Sequence, residues 1–591
     1  MVIMRTIVLS IIVFISSIAP VDTLSAQSAS AASDSVVVKA LHDEIYRNLN
    51  QLKSDVAGKP CYISYMLLRG TDAEASGYLG ALVGSNTNSL NDYYLRLLMG
   101  SFQTTDENFN DPYAQRSSRA TTSVSTPLDD NYWGIRRAFW WNTDNVFRSA
   151  SQTYSNKLKV LKDKTLPDEY KDLPDYTPAV PLKADFTHGE VYKPNLEQLE
   201  SLARDVSSVF RTRPQVINSG VTVSAVNAIA YLVTTEGMEI KIPLNLAVVT
   251  ISASVYSNDG EPIGDRLVYV ARFTNQLPAA DTMKQHAQLL ADYLVKLKDA
   301  KVETEAYSGP VMLYQQVVAS AFGATLFGGS TALVANREPL VNGFSKKLTV
   351  QSSGSIELKL GKRIVSKDIS VVLKPHIRYF QKVGLLGSYD VDGEGVVPPD
   401  ELVLVNNGVL KNLMSNRVPT PKVRTSNGHH RIYLNGIGSS FTDGPGVAFI
   451  TTDAPKSQEE MMQLLKEEME TKGLDHAYVI RPLIDGCSFS PFCYYRFDLA
   501  TGKETLVRSI EASDITLSSM NKILGCGDGQ FLSNYLLNSY GMETNNASGL
   551  PVSIIAPDCM LLQELTLEPH SSSFNTDGPL LDNPVGGDDG E

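Results

Sequence analysis

The chain has 591 residues, with 52 Lys and Arg against 65 Asp and Glu, for a formal net charge of −13. Domains usually hold roughly 100–200 residues, so this length predicts about three of them and a sizeable core. Hydrophobic residues make up 43% and charged residues 20%, which excludes a disordered chain, and the acidic balance argues against nucleic acid as a partner.

The N-terminus, residues 1–26, reads as an export signal. Arg5 supplies the positive start, Ile7 to Ile18 the apolar stretch, and Leu24-Ser25-Ala26 a small-residue exit before Gln27. The apolar stretch falls short of the ~20 residues that span a bilayer. No membrane span is therefore expected once the signal is removed, and the mature protein is expected to be exported, periplasmic or extracellular. A retained anchor is the alternative. The five cysteines (Cys61, Cys487, Cys493, Cys526 and Cys559) are too few for a disulfide scaffold and odd in number, although Cys487 and Cys493 are near enough to bridge a short loop.

After a Ser/Ala-rich leader, Val38, Leu41, Ile45, Leu49 and Leu52 fall on one helical face. Residues 62–103 read as short strands and turns, and 115–127 as an exposed Ser/Thr-rich loop. Trp133, Trp140 and Trp141 open a helical stretch to about Leu161; aromatic residues on a helix are usually core, with sugar stacking as the alternative. The Pro-, Asp- and Lys-rich stretch 166–194 looks like a linker. Residues 229–233 and 238–242 around Glu236-Gly237 predict a hairpin, with further strands at 246–256 and 266–273. Asp281 is expected to cap a helix carrying Met283, Leu290, Leu294 and Leu297 on one side.

Residues 307–336 lack charge, but their glycines, Pro310, amides and hydroxyls are too polar for lipid. A buried helix over about 311–327 and a glycine turn are expected. Strands are predicted at 347–352, 356–360, 369–373, 401–405, 446–452, 477–482, 493–499 and 505–511. Ser457 and Glu460 form a capping box for a helix with Met461, Leu464, Leu465 and Met469 on its apolar face. The fold class is α+β: an N-terminal α+β domain over 36–165, a middle β-rich unit over 195–300, and a large β-rich C-terminal domain with a buried helix over 301–568. The acidic tail, 569–591, is expected to be disordered.

No nucleophile elbow, Walker A loop, dinucleotide fingerprint or H-E-x-x-H is present. Asp390-Val-Asp392-Gly-Glu394-Gly395 with Glu401 matches part of an EF-hand loop, but Pro398 and Pro399 stand where the exiting helix would start, so an acidic turn between strands is expected. In Ser426-Asn-Gly-His429-His430-Arg431, neighbouring histidines on a strand point to opposite faces and rarely share a metal. Either imidazole alone has the chemistry of a ligand or a substrate contact; a satisfied or solvated loop histidine is the reading preferred.

Several segments in fixed order carry a resemblance: Tyr307-Ser-Gly-Pro-Val311, Lys359-Leu-Gly-Lys-Arg363, Gly387 to Gly395, Asn407 to Met414 with Ser415-Asn-Arg417, the Ser426–Arg431 loop, and Ser553-Ile-Ile-Ala-Pro557 with Leu561 to Leu565. Together they resemble the TldD/PmbA (TldD/TldE) family of metallopeptidase-related proteins. Upstream, Ala138 to Asp144 and the Glu236-Gly237 hairpin are similar to that family's earlier regions, so the resemblance covers about 36–568. It implies the α+β architecture, a dimer, and in active members H-E-x-x-x-H plus a later Cys around zinc. Here the motif falls on Tyr314, Gln315 and Ala319, and only the segment around Cys526, one residue short, resembles the Cys ligand. Gln is no general base and Ala ligates nothing.

Three functional readings follow. The first is a zinc-less, TldE-like pseudo-enzyme without cofactor, which binds extended peptide by strand addition or partners an active subunit in a homo- or heterodimer. The second is an active metallopeptidase that recruits zinc with His429 or His430 and Cys526. The third is a cell-envelope glycan-binding or structural protein that uses the tryptophans. The family's association with DNA gyrase modulation finds no support in an acidic chain with an export signal.

Overall fold

The computed structural model describes residues 36–110, 119–121, 126–187, 193–258, 260–341, 346–350, 356–436, 438–537, 548–570 and 583–585. The expected export signal, the leader, most of the 115–127 loop and nearly all of the acidic tail lie outside the described residues.

Helix α1 (Val36–Gln51) leads into β1 (Pro60–Tyr78) and β2 (Ala81–Met99), which pair antiparallel along almost their whole length. This corrects the expected series of short strands and turns over 62–103. Gly70 and Gly77 read as turn signals, yet both sit inside β1 because neighbours press on them. A Cβ on Gly70 would lie 2.6 Å from the Cβ of Ala228, and one on Gly77 would lie 2.4 Å from the Ala203 carbonyl oxygen. The real turn is Leu79-Gly80, with φ of +48° and +80°.

After α2 (Tyr132–Asp163) and α3 (Leu196–Ser207), β3 (Asn218–Thr234) and β4 (Glu239–Tyr256) form the expected hairpin around Glu236-Gly237. β5 (Pro262–Ala271) and the short strand Lys183–Asp185 both join β4. Among the described residues these six strands and Arg119–Thr121, which pairs with β2, make one seven-stranded sheet, so the stretches 36–165 and 195–300 are joined by hydrogen bonds. Odd-numbered residues of β1 (Ile63, Tyr65, Leu67) face α1 and α2, and Ala73 and Ala75 face α3 and α4 (Ala280–Lys298). Even-numbered Met66 and Leu68 face Leu386, Val391, Ile432 and Leu434 of the C-terminal part. Ala279, not Asp281, is the N-cap of α4; Asp281 lies in its first turn.

In the C-terminal part, residues 307–314 form a central strand, β6 (Tyr307–Tyr314), and the buried helix, α5, is confined to Gln316–Phe327. The expectation of helix from 311 is corrected: Val311 and Leu313 turn toward α5 while Met312 turns away, the two-residue alternation of a strand. After α6 (Gln458–Lys472) come β7 (His476–Pro482), β8 (Phe492–Asp498), β9 (Glu504–Arg508), β10 (Ile523–Gly527) and β11 (Cys559–Pro569). In the sheet, β10, β11, β6, β7, β8 and β9 follow one another in that order. A second sheet is built from Leu402–Asn406, Ile369–Leu373, Val447–Thr452, Leu550–Pro557 and Gln530–Leu537. The two sheets close over α5, whose Val318, Phe322 and Leu326 are fully buried; a helix apolar all round must be enclosed. α6, with the expected capping box, covers the other face of the first sheet through Met461, Leu465 and Met469. Residues Ile356–Lys359, expected as a strand, are a short 3-10 helix.

The 166–194 stretch is not a plain linker. It carries Asp175 and Tyr176 into the interior, where polar groups from distant parts of the chain meet. The Glu394 carboxylate accepts from Arg96 Nη1 at 2.8 Å and from the Arg417 backbone N–H at 2.9 Å. Arg417, fully buried, donates to the Thr177 carbonyl at 2.8 Å and to Glu236 at 2.7 Å. The Tyr176 ring lies between the Arg96 and Arg417 guanidiniums, each 4.3 Å from its centre. Asp175 extends the cluster to Lys157 and Arg337.

Truncating Arg417 would leave Glu236 without its cation and Glu394 with Arg96 alone, and breaking such a buried pair costs about 3–5 kcal/mol. Arg417→Ala should therefore lower the urea unfolding midpoint by a corresponding amount, and Arg417→Lys should restore little, because one ammonium cannot reach Thr177 and Glu236 while stacking on Tyr176. Unchanged unfolding of Arg417→Ala would contradict this.

Candidate functional site

The family resemblance points to the junction of β6 and α5. Tyr314, the last residue of β6, lies opposite Cys559 on β11 and points to the α6 side of the sheet. Its hydroxyl lies 3.8 Å from the Met462 sulfur, and the Arg481 guanidinium is 5.5 Å from its ring centre. Ala319 is fully buried on the other side, in the core around α5. The two positions that would bear imidazoles are thus separated by the sheet.

Between them, Gln315 has φ +50° and ψ −115°, a conformation strained for any residue with a Cβ. Its N–H donates to the Asp558 carbonyl at 2.7 Å, its carbonyl accepts from Val318 and Ala319, and its side-chain amide donates to Asp485 at 2.9 Å. Gln316 is buried; its amide donates to the Ser488 carbonyl and its oxygen accepts from the Ser490 N–H at 3.0 Å. The same loop is fastened to the N-terminal sheet, where Val268 N–H donates to the Phe489 carbonyl at 2.9 Å and Val270 N–H to Ser488 Oγ at 2.9 Å. Both glutamines therefore tie the junction to the 485–490 loop, and through it to β5.

Cys526 on β10 lies opposite Met560, which in turn lies opposite Leu313, and it shares the α5 core with Ala319. Burial, then Asp368 and Asp558, pushes its thiol up to about 12, so it stays protonated. A methyl, an amide and a phenol turned to the far face do not fit a zinc ion, and a protonated thiol in an apolar setting does not make good the loss.

The two histidines stand elsewhere. His429 is fully buried, with Nδ1 2.8 Å from the Asn427 carbonyl; burial pushes its pKa down to about 4, so the ring is neutral. His430 bonds Asp443 through Nδ1 at 2.7 Å and stacks on Phe441. Neither has Cys526 among its hydrogen-bond or charge partners, so the three are not brought together as one site. Among the described residues, no three His, Cys, Asp or Glu side chains are grouped as metal ligands.

The acidic turn at 390–395 is an interior one. Asp392 Oδ1 accepts from the N–H groups of Glu394 and Val396 at 2.9 and 2.8 Å, leaving no open ring of oxygens for calcium. Burial and the Glu394 charge raise the Asp392 pKa. For Glu394, burial is outweighed by His430, Arg96 and Arg417, which hold it below the usual range.

The tryptophans correct another expectation. Trp133, Trp140 and Trp141 are 70%, 42% and 51% exposed, because α2 buries the stripe Ile135, Phe139 and Val146 instead. Residues that the sequence left unmarked are Arg96, Tyr176, Asp485 and Ser488. The only signal near Asp558 was the glycine run: a Cβ on Gly527 or Gly529 would lie 2.2 Å from its carboxylate.

A helix buried between two sheets, with a strand-to-helix junction at its start, is the centre of the C-terminal part. Residues 321–567 match the family model of the PmbA/TldA metallopeptidase C-terminal domain, so this part of the chain is a domain of that kind. No curated protein matches it. Three solved structures are similar in fold. TldE from Thermococcus kodakarensis aligns over 90% of this chain and 100% of its own at 13% identity, TM-score 0.50. A candidate modulator of DNA gyrase from Bacteroides thetaiotaomicron aligns over 90% and 98% at 12% identity, TM-score 0.53. A second one, from Thermotoga maritima, aligns over 86% and 96% at 16% identity, TM-score 0.50.

Two measurements probe the site. Strain of this kind costs about 1–3 kcal/mol, so Gln315→Gly should hold or raise the thermal midpoint, whereas Gln315→Val should lower it; the reverse order would show that the backbone is not strained. For His430, burial alone would lower the pKa, but Glu394, Asp443 and Asp392 raise it overall. A raised folded-state value stabilises fully below the ordinary histidine range of about 6.5, and the gain is lost as pH rises through the folded value. The stability gap between the wild type and His430→Gln should thus be wider at about pH 5.5 than at about pH 9.

Proposed function

We propose that the protein is an exported, zinc-less member of its family that holds extended polypeptide, or a partner subunit, rather than hydrolysing it. One observation carries this reading: the side chains at the positions of the zinc motif are engaged in structure, with Tyr314 turned to the far face, Gln315 and Gln316 fastened to the 485–490 loop, and Ala319 buried in the same core as a protonated Cys526. Extended peptide would be bound by strand addition to the β-rich C-terminal domain, through main-chain hydrogen bonds. The protein would work as a dimer, of two copies or with a second family member.

A second reading rests on the exposed Trp140–Trp141 pair, 6.0 Å apart on α2, which offers flat apolar faces of the kind on which sugar rings stack.

The test is metal analysis of the mature protein, together with incubation against reduced, alkylated lactalbumin. Saturable binding without cleavage, unaffected by chelator and with no stoichiometric zinc, is expected. Stoichiometric zinc that disappears in Cys526→Ala or His429→Ala would establish an active metallopeptidase with unusual ligands instead. Binding of a cell-wall glycan that Trp140→Ala abolishes, with folding intact, would establish the second reading.

A further inference from the structure

The outer edge of β2 is an open strand. Residues Val83 to Ser89 are seven consecutive exposed positions, paired on one side with β1, where Ser85 lies opposite Ala75 and Thr87 opposite Ala73. On the other side, the short strand Arg119–Thr121 pairs only with Tyr94–Arg96. Further along, the Asn91 amide donates to the Thr126 carbonyl at 2.6 Å. Among the described residues nothing pairs with the outer edge from Gly84 to Leu90. A register shift at Val83 ends the regular stretch on one side.

Such an edge presents unpaired N–H and C=O groups, and proteins that stay monomeric usually guard it with charge or proline. From Ala81 to Asn91 there is neither. The sequence of the stretch is also symmetric: Ser85-Asn86-Thr87-Asn88-Ser89 reads the same in both directions. Antiparallel pairing of two copies about an axis at Thr87 would set Thr87 against Thr87, Asn86 against Asn88, and Ser85 against Ser89. Every cross-strand pair would join like polar groups, hydroxyl ladders on one face and amides on the other, with no like charges opposed. A two-fold interface needs this self-complementarity, in which each residue meets its mirror position on the partner.

We propose that β2 pairs with β2 of a second copy of this chain, in the register centred on Thr87, joining two seven-stranded sheets into one. The inference rests on the reading of the protein as a dimer and names the surface and register that would form it. An unfolded peptide or a different family member seated on the same edge are the other occupants.

The test uses the full mature chain, with mass in solution measured by light scattering and sedimentation. The wild type should be a dimer. Thr87→Lys and Thr87→Glu should each halve the apparent mass, with unchanged circular dichroism because the position is exposed, and mixing the two should restore the dimer. Under mild oxidation Thr87→Cys should give a covalent dimer, whereas Asn86→Cys, which would face Asn88 of the second copy, should not. A dimer that persists in Thr87→Lys and fails to cross-link through Thr87→Cys would overturn the inference while leaving the dimer reading standing. A wild type that stays monomeric at all concentrations would overturn both.

Discussion

The carboxylate of Glu394 is where stretches of chain far apart in sequence are held together. Arg96 comes from β2, Tyr176 from the segment between α2 and α3, and Arg417 from a loop of the C-terminal part, with Glu236 from the β3–β4 turn closing the far side. Removing four charges from water is costly, and such clusters add little net stability over an apolar core of the same shape. What they supply is selectivity: a shifted docking of the N-terminal sheet would strand at least one buried charge. The apolar contacts of Met66, Leu68, Ile240 and Val248 with Leu386, Val391, Ile432 and Leu434 drive the two parts together. The ionic cluster sets their register, and the orientation of the C-terminal loops relative to the sheet depends on it.

This explains why the family motifs are spread along the chain. Gly387 to Gly395 delivers Asp392 and Glu394, Ser415-Asn-Arg417 delivers the guanidinium and Asn416, and the Ser426–Arg431 loop delivers His430. Asn416 and His430 meet on the two oxygens of Asp443, at 2.7 Å each. Gly387 itself has no room for a side chain, since a Cβ there would lie 2.1 Å from the Gly446 carbonyl oxygen. Most of what the motifs encode is therefore the joint between the parts.

Elements with a local cause were legible in the sequence. The Ser457–Glu460 capping box, the Glu236-Gly237 hairpin and the one-sided apolar stripe of α1 each depend on residues a few positions apart. The β1–β2 pair was not, because Gly70 and Gly77 answer to Ala228 and Ala203, more than a hundred residues away. Arg96 was equally opaque, since its partner Glu394 lies 298 positions on. The tryptophans failed for a different reason. Their spacing against Ile135, Phe139 and Val146 places them off the buried stripe, and on this helix the period decides over the general preference of aromatic residues for cores. At the candidate site, the replaced residue types were legible. That Tyr314 and Ala319 lie on opposite sides of a sheet was not, because it required knowing that 307–314 is a strand.

The surroundings of Gln315 show what holds its strained backbone in place. The residue is the last hinge between a strand paired to β11 and a helix enclosed by two sheets. Its N–H is committed to Asp558, and its carbonyl to the first turn of α5. Relaxing φ would require either end to move, and both are fixed by fully buried neighbours such as Leu313 and Val318. A strained conformation persists where the surrounding packing over-determines it. Around it, Gln316 has two partners in the 485–490 loop, and Ala319 lies in the core. On this view the backbone of the junction is a property of the sandwich around α5, whatever side chains it displays.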